Sequence, residues 1–125
     1  MNGVLLIGAS GCEYFYTPYP WATRWHPDPA NYAFGWQDAE TEAWRIAYVG
    51  ETASLFHRMR NHAQWEAAKK LGCTHVLVNL NAGGQRARRT EEQDLIAKLQ
   101  PTLNSQHLKP SKPRPGRNGY YPSGW

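Results

Sequence analysis

The sequence predicts an α/β (α+β) fold in which a small mixed or antiparallel β-sheet is flanked by helices. Residues 31–36 and 44–49 are rich in aromatic and β-branched side chains, and a polar segment joins them as a hairpin. Residues 74–80 carry apolar side chains on both faces, which is typical of a buried central strand. Residues 86–99 have the pattern of a helix bounded by Pro101. The order is therefore ββαβα, with further strand-like pieces at the N-terminus.

The segment between the hairpin and the central strand is predicted to be helical. Gly50 allows a turn after the second strand, and Thr52 is a suitable N-cap for a helix that begins at Ala53 and runs to about residue 63. A second helical piece, residues 65–71, is expected to end against Gly72.

The N-terminal part is predicted to add strand-like pieces and a loop. Residues 4–7 are apolar and residues 13–17 are aromatic, but Pro18 and Pro20 interrupt the second pattern. Residues 21–29 contain two tryptophans and two more prolines, and we interpret them as an ordered aromatic loop. Such a loop usually packs on the core as a covering flap; the alternative is a loop that stacks on bases or guides a substrate.

Length and composition favour one small domain. The 125 residues divide into a domain over residues 1–104 and a basic, Pro/Gly-rich tail over residues 105–125. The apolar run 4–7 is too short for a signal sequence or a membrane span, so we expect a cytoplasmic protein with no membrane partner, monomeric by default. Cys12 and Cys73 lie in no CxxC pattern, and the five histidines match no zinc spacing.

The net charge of +4 lies in the tail. Residues 1–104 carry ten basic and ten acidic side chains, whereas residues 105–125 have four basic side chains and no acid. A basic segment next to a neutral domain suggests a polyanionic partner, DNA first with RNA not excluded; a solvated tail is the other interpretation. The four cations are Lys109, Lys112, Arg114 and Arg117.

The last predicted helix places a carboxylate near the core. Leu95, Ile96 and Leu99 mark its buried stripe, and Glu92 falls on the same side, whereas Glu91 and Asp94 are expected to point elsewhere. A carboxylate in that position needs a cation, a metal ion or water as compensation. If the first turn projects past the sheet, Glu92 is simply hydrated.

The same helix begins with three cations, Arg86, Arg88 and Arg89, at the end where a helix dipole disfavours positive charge. An anion is needed to offset this placement. Phosphate is one candidate, which makes these arginines candidate nucleic-acid contacts, and the acids that follow in the helix are the other.

Four spaced elements, namely Tyr48-Val49-Gly50, Arg58 with His62, Glu92, and Pro101 to Asn104, resemble the GIY-YIG nuclease family. Tyr48-Val49-Gly50 is followed by Arg58 and, four residues later, by His62, which would share one helix face. Glu92 in the last helix and the sequence Pro101-Thr102-Leu103-Asn104 are similar to the family's later motif, a metal-binding glutamate followed by proline and asparagine. The resemblance covers residues 48–104.

The first half of the family pattern is less complete. Ala30-Asn31-Tyr32 stands at the position of the GIY motif with only its tyrosine retained, and Tyr32 precedes Tyr48 by sixteen residues, a longer interval than usual. Either Tyr32 or Phe34 occupies the first-strand position, and we favour Tyr32. Glu51 and Thr52 stand where the family often has a lysine.

The resemblance implies a metal-dependent endonuclease that hydrolyses phosphodiester bonds in DNA, single-stranded or branched DNA included. Glu92 would hold Mg²⁺ or Mn²⁺, Arg58 would clamp the scissile phosphate, and Tyr32 or Tyr48 would orient or deprotonate the nucleophilic water. His62 would share the proton transfer or hydrogen-bond a tyrosine, and Asn104 would complete the pocket as a polar positioning group. The alternative is an inactive nucleic-acid-binding or protein-interaction module that keeps the fold.

Overall fold

The computed structural model describes residues 3–104, and in this range it contains five strands and three helices longer than one turn. In chain order they are β1 (Val4–Ile7), β2 (Glu13–Pro20), β3 (Ala30–Gln37), β4 (Trp44–Thr52), α1 (Leu55–Arg60), α2 (Trp65–Lys70), β5 (His75–Leu80) and α3 (Gln85–Leu99).

All strands belong to one antiparallel sheet with the order β1-β2-β5-β3-β4. The predicted hairpin is formed by β3 and β4, and the predicted central strand is β5, which pairs with β2 on one side and β3 on the other. The α+β fold class and the ββαβα order from β3 onward are therefore confirmed, with β1 and β2 as the N-terminal extension.

The prediction that Pro18 and Pro20 end the second strand is wrong, because β2 includes both. Strand β1 pairs with β2 only as far as Tyr16, and β5 pairs with Thr17–Pro20 on the opposite side. The prolines are two positions apart, with Tyr19 between them, so their missing N–H groups fall on the same edge of β2. Over residues 17–20, β2 pairs with β5 on one edge and, within residues 3–104, has no paired strand on the other. A proline whose nitrogen lies on the unpaired edge costs no ladder hydrogen bond.

The two faces of the sheet pack against different elements. Helix α3 covers one face, where Leu95 and Ile96 pack with Val49 and Leu77. The opposite face packs against α1, α2 and the aromatic loop, residues 21–29, whose tryptophans contact the buried rings of β3. The covering role predicted for this loop agrees with those contacts.

Helix α1 begins later than predicted. Strand β4 continues through Gly50 to Thr52, so Gly50 lies within the strand and forms no turn. The N-cap is Ser54, whose hydroxyl accepts a hydrogen bond from the amide of His57, and Thr52 instead bonds the backbone of Ser54. Helix α2 ends as predicted before Gly72, which has φ +108°. No helix in residues 3–104 is long and apolar enough to cross a membrane.

Asp94 joins α3 to the turn between β1 and β2. Its carboxylate accepts hydrogen bonds from the Ser10 amide at 2.8 Å, the Ser10 hydroxyl at 2.6 Å and the Tyr14 hydroxyl at 2.7 Å. Gly8 lies against the same carboxylate, and a Cβ there would collide with it. The Ser10 hydroxyl, followed by the Tyr14 hydroxyl, lowers the pKa of Asp94 below its usual range.

We predict that Asp94→Asn loosens the N-terminal strands, because an amide cannot accept all three hydrogen bonds. A depressed pKa stabilises the fold above the unfolded-state value of about 3.9 and loses its effect as the pH falls through the lower folded-state value. Thermal melts at pH 7 should therefore show a lower Tm for Asp94→Asn, and the gap should narrow below pH 4. Equal Tm values at pH 7 would contradict this role. Glu66→Gln, on the exposed face of α2, is the matched control.

Candidate active site

Tyr32 lies at the centre of the residues that the family resemblance singled out. It is fully buried in β3, directly opposite Gly50 of β4 and Val78 of β5. A Cβ on residue 50 would lie 2.5 Å from the Tyr32 hydroxyl oxygen and 2.6 Å from its Cζ. Gly50 is therefore required by the close approach of the phenol ring to β4, and not by a turn.

His62 donates a hydrogen bond to Tyr32. Its Nε2 lies 2.7 Å from the Tyr32 hydroxyl oxygen, and its Nδ1 accepts a hydrogen bond from the Gln64 amide at 3.0 Å. Because Nδ1 is the acceptor, a neutral ring carries its proton on Nε2. Burial, followed by the nearby charge of Arg58, lowers the pKa of His62 to about 4, so the ring is neutral at pH 7.

Arg58 approaches the same hydroxyl from α1. Its Nε donates a hydrogen bond to the Tyr32 oxygen at 3.2 Å, while the residue as a whole remains exposed. Since α1 ends at Arg60, His62 lies beyond the helix, and the prediction of an Arg58–His62 pair on one helix face is wrong. The two residues meet at Tyr32 because the chain turns at Asn61, the C-cap.

The Tyr32 hydroxyl thus accepts two hydrogen bonds, which leaves its own proton free to point at a third group. Burial raises the pKa of Tyr32 above its usual range, and the hydrogen bond and charge of Arg58 act in the opposite direction. The phenol is neutral at pH 7 in this environment, and added positive charge would favour the phenolate.

Tyr48 and Phe34 pack beside this group. Of the two candidate residues of β3, Tyr32 and Phe34, Tyr32 is the one whose side chain contacts both His62 and Arg58 through a hydrogen bond. The Phe34 ring stacks on Tyr48, with centroids 5.5 Å apart, and contacts the edge of His62. Tyr48 lies 5.1 Å from His62 by centroids. Phe34 therefore supports the imidazole, whereas Tyr32 supplies the hydroxyl.

Asn104 holds the outer edge of β4. Its side-chain oxygen accepts a hydrogen bond from the Val49 amide at 2.7 Å, and its Nδ2 donates to the Val49 carbonyl at 2.9 Å. Strand β4 lies at the end of the sheet, so these two bonds satisfy backbone groups that have no neighbouring strand. Asn104 thus positions the strand segment between Tyr48 and Gly50.

Glu92 is half-buried on α3, close to charges from β4 and α1. Burial, followed by the like charge of Glu51, raises its pKa to about 7, while Arg89 and then Arg58 act to lower it. Arg58 therefore influences both Tyr32 and Glu92. No arginine or lysine of the described part of the chain forms an ion pair with Glu92 within 4.0 Å.

The Glu92 carboxylate is a ligand of the type that a divalent cation such as Mg²⁺ prefers. A half-buried carboxylate with a raised pKa next to a second carboxylate is an arrangement that a hard cation stabilises. Over residues 3–104 the structure contains no group of three or more His, Cys, Asp or Glu side chains that could hold a metal ion. A metal at Glu92 would therefore complete its coordination with waters and phosphate oxygens, as Mg²⁺ commonly does.

Arg88 has a different position from the one predicted. It is buried, and its Nε lies 3.0 Å from a carboxylate oxygen of Glu51. Its guanidinium is thus committed to Glu51 instead of facing solvent as a phosphate contact. The pair fixes the carboxylate that stands where the family often has a lysine. Sequence spacing could not reveal it, because 37 residues separate the partners.

Glu91 was expected to point away from the core, and this is wrong. It is buried under α3, where it accepts hydrogen bonds from the Tyr16 hydroxyl at 2.6 Å and from the side-chain amide of Asn79 at 2.8 Å. Glu91 precedes Leu95 by four residues, so the helical period was a signal for its burial. Its polar partners come from β2 and β5, which the helix sequence does not indicate.

The remaining predicted contacts divide into two groups. Arg86 and Arg89 are exposed near the start of α3, as a phosphate contact requires, and α3 has no acid in its first turn. The four cations of the tail lie outside the described residues. They are Lys109, Lys112, Arg114 and Arg117.

We predict that the raised pKa of Glu92 is visible in stability measurements without divalent cations. The folded-state pKa of about 7 exceeds the unfolded value of about 4.3, so the folded state binds more protons between them and Glu92 costs stability as the pH rises. Urea unfolding in EDTA should show Glu92→Gln gaining stability relative to wild type from pH 5 to pH 8, with a plateau above pH 8.

His62 has the opposite effect in both proteins, because its pKa is lowered to about 4, so the difference between wild type and Glu92→Gln isolates Glu92. A difference that does not change with pH would contradict the raised pKa.

Comparisons of the chain with protein-family models, curated proteins and solved structures find no match.

Proposed function

We propose that the protein is a metal-dependent endonuclease that hydrolyses phosphodiester bonds in DNA. The observation that carries this proposal is the meeting of His62 and Arg58 at the hydroxyl group of Tyr32. The positive charge of the same Arg58 also acts on Glu92. A phenol, a guanidinium and a carboxylate supply the proton acceptor, the phosphate clamp and the cation ligand that phosphodiester hydrolysis needs.

In this mechanism Tyr32 first loses its proton to solvent, which an added positive charge would favour. A water oxygen then attacks the phosphorus, the Tyr32 phenolate takes one proton of that water and becomes a phenol again, and the bond to the leaving oxygen breaks, so that this oxygen departs as an alkoxide and takes a proton from solvent. The Nε2–H of His62 and the Nε–H of Arg58 stabilise the phenolate through the hydrogen bonds that they already make. A Mg²⁺ or Mn²⁺ ion held by Glu92 would add positive charge, which lowers the pKa of bound water and neutralises the phosphoryl oxygens.

Arg58 has a second task that its geometry allows. Its Nε is bound to Tyr32 and the guanidinium also interacts with Tyr48, but the residue is exposed, so its solvent-facing edge can meet a phosphate. A guanidinium binds two phosphate oxygens at once, whereas an ammonium group acts as a point charge. Arg58 would then place the scissile phosphate next to the proton acceptor.

Nucleic acid outside the reaction centre would contact Arg86 and Arg89 and the tail cations. The acid-free tail adds four positive charges, and each neutralised phosphate makes binding more sensitive to salt. Nothing in this charge pattern distinguishes DNA from RNA, so RNA remains part of the proposal.

The second candidate is a binding module that has lost catalysis. Two observations favour it: burial raises the pKa of Tyr32, and a Glu51 carboxylate paired with Arg88 stands where the family often has a lysine. Such a module would bind nucleic acid through Arg86, Arg89 and the tail and leave the strand intact.

The test is nicking of supercoiled plasmid and of labelled single strands with Mg²⁺ or Mn²⁺. We expect wild type to cleave, Glu92→Gln to lose cleavage by at least about 100-fold, and Arg58→Lys to lose about 100-fold or more, since a charge-stabilising donor contributes on this scale. Arg60→Lys, an exposed arginine two residues further along the same helix, is the matched control and should retain activity.

Chelation of the metal with EDTA should abolish cleavage by wild type. Equal inertness of wild type and Glu92→Gln with both metals, together with equal DNA affinity, would contradict the enzyme proposal and favour the binding module.

A further inference from the structure

An open groove lies on the same side of the sheet as Tyr32, over β2 and β5, and we call it the aromatic groove. It has a volume of about 480 Å³, which is within the usual size of small-ligand sites. Its apolar lining includes Phe15, Tyr19, Trp25, Leu55 and Leu80.

Several of these side chains are unusually exposed. Phe15 is 67% exposed, Leu80 63% and Tyr19 37%, and all three lie in regular strands. The Tyr19 and Trp25 rings meet edge to face with centroids 5.9 Å apart, so one wall of the groove is a preformed aromatic surface. Exposed apolar surface that is contiguous marks a binding site more often than a structural one.

Helix α1 connects the groove with the candidate active site, because residues of this helix contribute to both. Leu55 lines the groove and begins the helix that carries Arg58 three residues later, a rise of about 4.5 Å. The loop that forms the groove wall is tied to this helix, because the Leu55 amide donates to the Asp28 carbonyl and the Phe56 amide donates to the His26 carbonyl, each at 3.0 Å. Val78, on the groove floor, is directly opposite Tyr32.

We propose that the aromatic groove binds an unpaired nucleobase of the strand whose phosphate is held by Arg58, and that the substrate is therefore single-stranded at this point. This inference rests on the proposed function. Leu55 in the groove and Arg58 are less than one turn of α1 apart, so a base next to the phosphate held by Arg58 is close to the groove. Aromatic surfaces beside phosphate-binding cations are a common way of binding single strands.

The charges around the groove agree with stacking as the main source of affinity. Arg24 and Asp28 both line it and offset each other, so the groove itself carries little net charge. Thr17 adds a hydroxyl at its floor that can hydrogen-bond a base edge. Bases in a duplex are already stacked, so only an unpaired or extruded base can enter.

The test measures binding without cleavage, by fluorescence anisotropy in EDTA. The probes are a short labelled oligothymidylate and an abasic phosphodiester oligonucleotide of equal length, which has the phosphates but not the bases. We expect wild type to bind the thymidylate more tightly, and Phe15→Leu to lose about 5- to 150-fold of that affinity while its abasic affinity is unchanged, as one stacked base predicts.

The control is Phe56→Leu, an exposed phenylalanine of α1 that does not line the groove, and it should bind like wild type. Phe15→Tyr should retain thymidylate binding, and it keeps the test valid if Phe15→Leu does not fold. Three results would each overturn the proposal. Wild type could bind the two probes with equal affinity, Phe15→Leu could bind the thymidylate as tightly as wild type does, or Phe15→Tyr could lose thymidylate binding. Conversion of a dimer to a monomer by Phe15→Leu, seen by light scattering, with no change in thymidylate binding, would overturn it as well.

The two proposals fail separately. Thymidylate preference without metal-dependent nicking would leave the groove in place and remove the enzyme proposal. Nicking without thymidylate preference would support the enzyme proposal and remove the groove proposal.

Discussion

The hydroxyl group of Tyr32 is the point on which the candidate site depends. It accepts hydrogen bonds from His62, which follows α1, and from Arg58, which lies within it, and it is held in β3 at the middle of the hairpin. Each donor needs its own support. The Gln64 amide fixes the His62 tautomer, and the Phe34 ring packs against the imidazole. If the hydroxyl were absent, a buried neutral imidazole and an arginine Nε would lose their common acceptor.

The surrounding residues leave space for this hydroxyl and disfavour its charged, phenolate form. Gly50 is the residue in β4 that lets the phenol approach the strand, and Asn104 holds the same strand from its outer side. Burial raises the pKa of Tyr32 and of Glu92, and the positive charge of Arg58 acts against both shifts. The site therefore contains a phenol that burial keeps protonated, a carboxyl group that is about half protonated near pH 7, and the cation of Arg58. A divalent cation would shift the phenol and the carboxyl group toward their charged forms.

The sequence predicted the larger elements because their signals are local. Alternation marked β3 and β4, and the continuous apolar run marked β5. The helical period of α3 indicated that Glu92 lies near the core, and the spacing of a family pattern singled out Arg58, His62 and Glu92 together.

The features that the sequence did not predict depend on partner residues that are distant along the chain. The burial of Glu91 needs Tyr16 and Asn79, and the burial of Arg88 needs Glu51. The extension of β2 through its prolines depends on which edge of the strand lacks a neighbour, and a single segment does not contain that information.

The most direct measurement of the central role of Tyr32 is single-turnover cleavage of a labelled single strand with Mn²⁺, comparing wild type with Tyr32→Phe. The substitution removes one oxygen atom and keeps the ring that packs between β4 and His62. If Tyr32 is the proton acceptor, the rate should fall about 100- to 10,000-fold with little change in the affinity for DNA. A rate within about threefold of wild type would contradict the account.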